Sequence, residues 1–318
     1  MNDTLADAAA IIRSHDSFAL ACHVSPDGDA LGSMLGLHLA LLAADIDSVA
    51  SFSKPFEVAP HYRSLPGLDR LTNPDAYPRA PQVMITLDSG SLGRLGDLGA
   101  NAQAAENLIV LDHHVSNTRY GSLNVIDDRA AATAVMVYQL IQMLELPITD
   151  EVATCLYAGL VCDTGRFQYQ TTTPAVFEMA AQLSAYKVDI PSLSRELFEE
   201  HRYAYLQLTA RVLTETKLDV ERRFAWAVIR QADLLEFGVT LDETEGLIDL
   251  VRRIQEAEVF AVLKEEPTGR VRVSLRGLGN VDVQKIALSN GGGGHSFAAG
   301  FTSDGPAETV VEAIRSQL

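Results

Sequence analysis

The sequence predicts an α/β protein in two parts, a parallel-sheet domain followed by a smaller α/β domain, and three observations carry that expectation. Three apolar runs, FALAC (18–22), VMITL (83–87) and NLIVL (107–111), are continuous enough to be strands buried on both faces, as in parallel sheets. Each run ends in polar residues, and the first is followed by a turn and by ALGSMLGLHLALLAAD, whose apolar residues recur at helical spacing. Beyond about residue 217 the pattern changes to FAWAVIR, then EVFAVLK and RVRVSLR separated by the turn EEPTGR, which reads as a hairpin.

The remaining elements follow in order. Thr149 suits a helix N-cap, Asp150 and Glu151 suit its first turn, and EVATCLYAGLVC runs on to Asp163-Thr164-Gly165, where Gly165 ends it. Thr173-Pro174 opens another helix, and Pro191 to Lys217 reads as mostly helical and charged. The second part holds an expected helix over ETEGLIDLVRRIQEA and closes with VDVQKIALSN, the glycine run GGGGHSFAAG and the amphipathic AETVVEAIRSQL. The expected division is 1–190, a helical connector 191–217, and 218–318.

A chain of 318 residues with 47% hydrophobic content can bury one large core or two medium ones. Mean hydropathy is +0.08. The three cysteines, Cys22, Cys155 and Cys162, are odd in number and lie in apolar surroundings, which fits neither a disulfide framework nor a zinc ribbon and points to a reducing compartment. The N-terminal MNDTLADAAAIIRSHD lacks a basic segment and a long apolar core, and no window reaches eighteen uninterrupted apolar residues. A cytoplasmic protein with no membrane partner is expected. A formal net charge of −17 argues against binding long nucleic acids, which need clustered Lys and Arg, but leaves room for a small phosphorylated ligand in a locally reversed field.

The polar residues at the strand ends carry the chemistry. HVSPDGDALGS places His23, Asp27 and Asp29 within seven positions with no Lys or Arg to balance them. Alone, Asp-Gly-Asp is a common solvated turn. Here a buried strand delivers it to the rim of a sheet, opposite Asp88, His113, His114 and Asp163, since ligands gather at the carboxyl ends of parallel strands. Two like charges about 4 Å apart cost roughly 1 kcal/mol in water and about 4 at an effective dielectric of 20, so four carboxylates together need cations or raised pKa values. Two divalent ions would offset them. Oxygen-rich ligands with some imidazole favour manganese, the first choice, or magnesium; cobalt is the further alternative. Cys22 and Cys162 read as core thiols. His15, His38, His61 and His201 have no carboxylate neighbours at useful spacing and receive no role.

H-V-S-P-D-G-D-A-L-G-S, the Asp in L-D-S-G-S, D-H-H, D-T-G-R-F and G-G-G-G-H-S-F-A-A-G together resemble the successive motifs of the DHH–DHHA1 phosphoesterases, over essentially the whole chain. Within them the chain most resembles the bacterial oligoribonuclease (nanoRNase) and 3′-phosphoadenosine-5′-phosphate (pAp) phosphatase group, some members of which act on cyclic di-AMP and pApA. The resemblance implies a DHH domain and a DHHA1 domain with the active-site cleft between them. It implies that His23 and Asp27 bind one metal, that Asp29, His113 and Asp163 bind the other, and that Asp88 bridges the two. Asp112 would orient a histidine, and His114 would face the substrate and stabilise or protonate the leaving oxygen. A two-metal centre activates water and clamps phosphoryl oxygens.

Substrate choice is expected from the second domain. Gly291, Gly292, Gly293 and Gly294 would let backbone N–H groups approach a phosphate or base, with His295 and Arg276 as further donors. Arg94 and Arg166 could touch phosphate or form surface ion pairs. One visible departure from the group is RGLGNVDVQKIA, where Gly277 and Asp282 stand near an expected Ser and Asn. The expected activity is removal of 5′-mononucleotides from very short RNAs or pApA and of phosphate from pAp, with cyclic di-AMP as an additional substrate. The alternatives are a processive single-strand exonuclease of the RecJ type, for which 318 residues scarcely leave room, a nucleotide sensor without catalysis, and a structural protein, for which so many clustered acids would be unfavourable. Dimers are common in the resembling group, and the apolar 131–146 segment permits a homodimer or an ordinary core helix.

Overall fold

A computed structural model describes residues 3–318 and divides the chain into two compact units, 1–199 and 200–318. The boundary falls inside the segment expected to connect them. The first unit runs α1 (Leu5–Arg13), β1 (Ser17–Cys22), α2 (Gly28–Ala43), β2 (Asp47–Ser51), β3 (Val83–Leu87), α3 (Gly99–Ala104), β4 (Asn107–Asp112), β5 (Leu123–Ile126), α4 (Thr133–Leu144), α5 (Asp150–Asp163), α6 (Pro174–Leu183) and α7 (Ile190–Phe198).

Its five strands form a wholly parallel sheet in the order β2-β1-β3-β4-β5. Both faces are covered. Phe18, Leu20, Ile85 and Leu111 face a core shared with α2, α4 and α5, while Ala19, Ala21, Met84 and Val110 face a smaller one with Leu95, Leu98 and Ala102. Double coverage explains why β1, β3 and β4 read as unbroken apolar runs. β2 (DSVAS) and β5 (LNVI) gave no such signal because they are short, polar edge strands. Nearly all of α2 is buried, Gly28 through Leu41, as suits a helix apolar on every side. Most apolar residues of α4, among them Met136, Val137, Leu140 and Ile141, lie in the same core, while Met143 is exposed.

The second unit runs α8 (Tyr203–Glu215), β6 (Lys217–Asp219), β7 (Phe224–Ile229), α9 (Gln231–Phe237), α10 (Ile248–Val251), β8 (Val259–Glu265), β9 (Val271–Gly277), α11 (Val283–Ser289), β10 (Gly293–Gly294), β11 (Ala298–Ser303) and α12 (Ala307–Arg315). Its sheet is mixed, β10-β11-β9-β8-β7-β6, with only β7 and β8 parallel. The long helix expected over 243–257 is instead a 3-10 turn, Asp242–Leu247, followed by the single turn of α10. Leu247, Ile248 and Val251 still bury their side chains, but the chain must reverse before β8 and cannot continue helically. Among the described residues no helix is long and apolar enough to cross a membrane.

Candidate metal centre

β1, β3 and β4 lie side by side with Cys22 opposite Leu87 and Leu87 opposite Leu111. His23, Asp88 and the run Asp112-His113-His114 therefore leave the sheet level with one another. The strand order reverses between β1 and β3, the place where such sheets bind ligands.

The helices bring the other acids to this rim. Asp27 is the N-cap of α2: Oδ1 accepts from the N–H groups of Asp29 (3.1 Å) and Ala30 (3.0 Å), which leaves Oδ2 facing His23 Nε2 at 3.7 Å. Asp29 turns inward, where Oδ2 accepts from Thr133 N (2.6 Å) and Oδ1 from Ala134 N (2.9 Å) and the Ser33 hydroxyl (3.0 Å). α4 has no side-chain cap at Ala132, and Asp29 supplies one from another element, satisfying N–H groups that would otherwise be orphaned. α2 and α5 approach closely because a Cβ at Gly32 would meet the Cys155 carbonyl at 2.4 Å and one at Gly159 would meet Asp29 Oδ1 at 2.8 Å. That approach carries Asp163, the last residue of α5, to 3.1 Å from His113 Nε2.

Two of the imidazoles are fixed alike. His23 Nδ1 lies 2.8 Å from Val24 O and His113 Nδ1 lies 3.1 Å from Ala130 O, so each Nδ1–H donates to a carbonyl and each Nε2 faces the carboxylates. Arg94 Nη2 is 3.1 Å from the same His23 Nδ1. Since that nitrogen already carries the proton given to Val24 O, Arg94 sits beside the ring as a charge. Asp88 lies across the centre, with Oδ1 at 3.5 Å from His113 Nε2 and Oδ2 at 3.6 Å from His23 Nε2. His114 differs: Nδ1 lies 2.7 Å from Asp112 Oδ1, and Asp112 Oδ2 accepts from Asn117 Nδ2 at 2.6 Å.

The electrostatics describe a centre that lacks positive charge. Burial, reinforced by the charge of Asp88, pushes Asp29 up to about 7, and burial together with Asp27 pushes Asp88 up to about 6. Asp163 is raised by burial, against the hydrogen bond from His113. Despite desolvation, His23 and the Ala30 N–H hold Asp27 below the ordinary carboxylate range. Despite their own burial, His113 is held well above its ordinary value by Asp163, Asp88 and Asp29, and His114 is held at about 9 by Asp112. His23, Asp27 and Asp88 form one set whose ligand atoms lie within 4.8 Å of one another, and Asp29, Asp88 and His113 form a second. Two oxygen-rich sets sharing one carboxylate, each with an inward imidazole nitrogen, fit two divalent cations. Burial pushes the Cys22 and Cys162 thiols well up, which keeps them protonated and unsuited as ligands.

Sequence reasoning missed Thr133, Ser33 and Asn117. Asn117, in DHHVSN, carried a signal in its nearness to the motif, and Thr133 carried one in the absence of a capping side chain at Ala132.

The residues singled out in the second unit lie around β9–β11. Arg276 donates from Nη1 to Leu275 O (3.0 Å), and its Nε lies 3.9 Å from Asp249 Oδ1. His295 stacks on Phe297. The glycine run has packing reasons of its own. A Cβ at Gly292 would meet Gly300 O at 2.1 Å, Gly294 has φ +132, and the Gly292 N–H already donates to Ala287 O at 2.8 Å. Asp282 caps α11 by accepting from Gln284 N, a role an Asn serves equally well.

Comparison with known proteins gives the following. The description "DHH family, N-terminal domain" matches residues 17–160 and "DHHA1 domain" matches residues 223–318. A Thermus thermophilus protein named bifunctional oligoribonuclease and PAP phosphatase NrnA is 34% identical, over 94% of this chain and 89% of its own length. A Streptococcus mutans protein named a probable enzyme of the same description is 30% identical over 93% of each chain. Among solved structures, an exopolyphosphatase-related protein from Bacteroides fragilis shares the fold, with a TM-score of 0.87 over 98% of this chain and 94% of that one at 23% identity.

Proposed function

The chain belongs to the DHH family and carries a DHHA1 domain, and from that premise we propose a cytoplasmic, manganese-dependent phosphoesterase that removes 5′-mononucleotides from short oligoribonucleotides and pApA and releases phosphate from pAp. Opening of cyclic di-AMP is included in the proposal. The observation that supports it most is the pair of ligand sets sharing Asp88, with His114 beside them. His23, Asp27 and Asp88 would hold one ion and Asp29, Asp88, His113 and Asp163 the other. Divalent ions bound there would supply a nucleophilic water at neutral pH and offset charge on the phosphoryl oxygens.

The chain's own groups do the rest. Asn117 holds Asp112, and Asp112 fixes His114 through Nδ1. His114 is thereby kept protonated near neutral pH, so its Nε2–H can protonate the leaving oxygen as the ester P–O bond breaks. Arg276, His295 and the Gly291–Gly294 run are assigned to substrate recognition, and Arg94 to the phosphate field beside His23. A homodimer is part of the same proposal, to be read by sedimentation; most apolar residues of α4 are taken up in the first core, and Met143 is exposed.

Product analysis tests the activity. pApA, pAp, cyclic di-AMP, a five-nucleotide RNA and a twenty-four-nucleotide RNA are compared with and without manganese. Turnover of pApA, pAp and the short RNA that depends on manganese is expected. Faster cleavage of the long RNA would overturn the substrate reading.

A further inference from the structure

Thr133 touches both carboxylates around which the two ligand sets are built. Its N–H donates to Asp29 Oδ2 at 2.6 Å and its hydroxyl to Asp88 Oδ1 at 2.9 Å, with the residue fully buried. The backbone contact belongs to the start of α4, where Asp29 serves as the cap, and any residue at 133 other than proline would keep it. The hydroxyl contact belongs to Thr133 alone.

Asp88 has need of such a contact. Its φ of 55 lies in the left-handed region, which non-glycine residues seldom adopt, so this residue is held in place by its surroundings. The terminal torsion of an aspartate is broad, and the carboxylate can turn about its Cβ–Cγ bond unless something stops it. Asp88 presents Oδ1 toward His113 and Oδ2 toward His23, and a small rotation would withdraw both oxygens from their sets together. A hydroxyl donating to Oδ1 blocks that rotation. It also occupies one lone pair on Oδ1 while leaving both on Oδ2, so the two sides of the carboxylate are not equivalent donors.

We infer that Thr133 is a positioning residue whose hydroxyl holds Asp88 in the one orientation that serves both cation sets at once, and so sets how tightly the more weakly held ion is bound. This rests on the two-ion reading above. Thr133→Val matches the shape of threonine without the hydroxyl, Thr133→Ser keeps the hydroxyl, and Thr133→Ala removes it without adding bulk.

The full chain and the three variants are titrated with manganese alone by calorimetry, and the fully loaded proteins are compared by electron paramagnetic resonance for coupling between the two ions. Near-UV circular dichroism of the metal-free proteins checks the fold. The expected result is two ions per chain in the unsubstituted protein and weakening of the second by about 10- to 100-fold in the Val and Ala variants. Thr133→Ser should stay within a few-fold of the unsubstituted protein. Activity of the Val variant should recover at high manganese with the substrate KM little changed, which a general loss of structure would not produce. Two ions bound at unaltered affinity in both the Val and Ala variants would overturn the role of Thr133 and leave the two-ion reading standing. Fewer than two ions in the unsubstituted protein would overturn the two-ion reading itself and this inference with it.

Discussion

At the scale of single residues, the centre separates groups that gather charge from groups that orient. His114 is the clearest case of a group poised to give a proton, because Asp112 keeps it protonated where a free imidazole would be neutral. Replacing it, His114→Ala, is expected to lower kcat by about 10²- to 10⁴-fold while leaving the manganese isotherm unchanged. The decline of rate at high pH should vanish with it, since a proton donor is lost as pH rises through its pKa. Asp88→Asn should do the opposite to binding and to stability. Manganese affinity should collapse, whereas the metal-free chain should gain about 1 kcal/mol in urea denaturation at pH 8, because one of several acids raised by burial and by the neighbouring carboxylates has been removed. A metal-free variant less stable than the unsubstituted chain would contradict that account. Asp27 shows why residue-level reading needs care: its cap hydrogen bonds alone would explain an aspartate there, and only its second oxygen, turned to His23, gives it a further use.

At the scale of elements, the site depends on how α2 and α5 are pressed together. Gly32→Ala would set a methyl group against the Cys155 carbonyl, a backbone atom that cannot turn aside, so the helices must part. The expected cost is about 1–3 kcal/mol in chemical denaturation, with weakened manganese binding because Asp29 and Asp163 move with their helices. Gly93→Ala, where nothing lies within 4 Å of the added atom, is the control and should be near neutral. The elements also explain what was legible. β1, β3 and β4 could be read because burial on both faces leaves each run apolar but for the buried Thr86 of β3, and α5 because Thr149 caps it as expected. β2 and β5 could not, since edge strands share their composition with loops. The 243–257 helix was misread because a single turn and a longer helix bury the same periodic side chains, and only the need to enter β8 distinguishes them.

At the scale of the whole molecule, metal-free stability and metal affinity should change with pH in opposite senses. Asp29, at about 7, and His114, at about 9, both have folded values above their ordinary ones, so the folded state holds more protons than the unfolded state across that range. Their contribution is present at low pH and is lost as pH rises through those values. Between pH 6.5 and 9 the melting temperature of the metal-free protein is therefore expected to fall. Manganese, which competes with the protons on the raised carboxylates Asp29 and Asp88, should raise it by an amount that grows with pH. A melting temperature rising over that interval without metal would refute the picture of a centre starved of positive charge. The sequence by itself determined the two-part α/β plan and which acids and imidazoles stand at strand ends, because buried strands and the residues that leave them are local properties of the chain. It could not determine that α4 borrows its cap from Asp29, that Asn117 holds Asp112, or that Thr133 holds Asp88. Two of those contacts join residues 104 and 45 positions apart, and only the packing of helices on the sheet decides which distant hydrogen-bond donor meets which buried carboxylate.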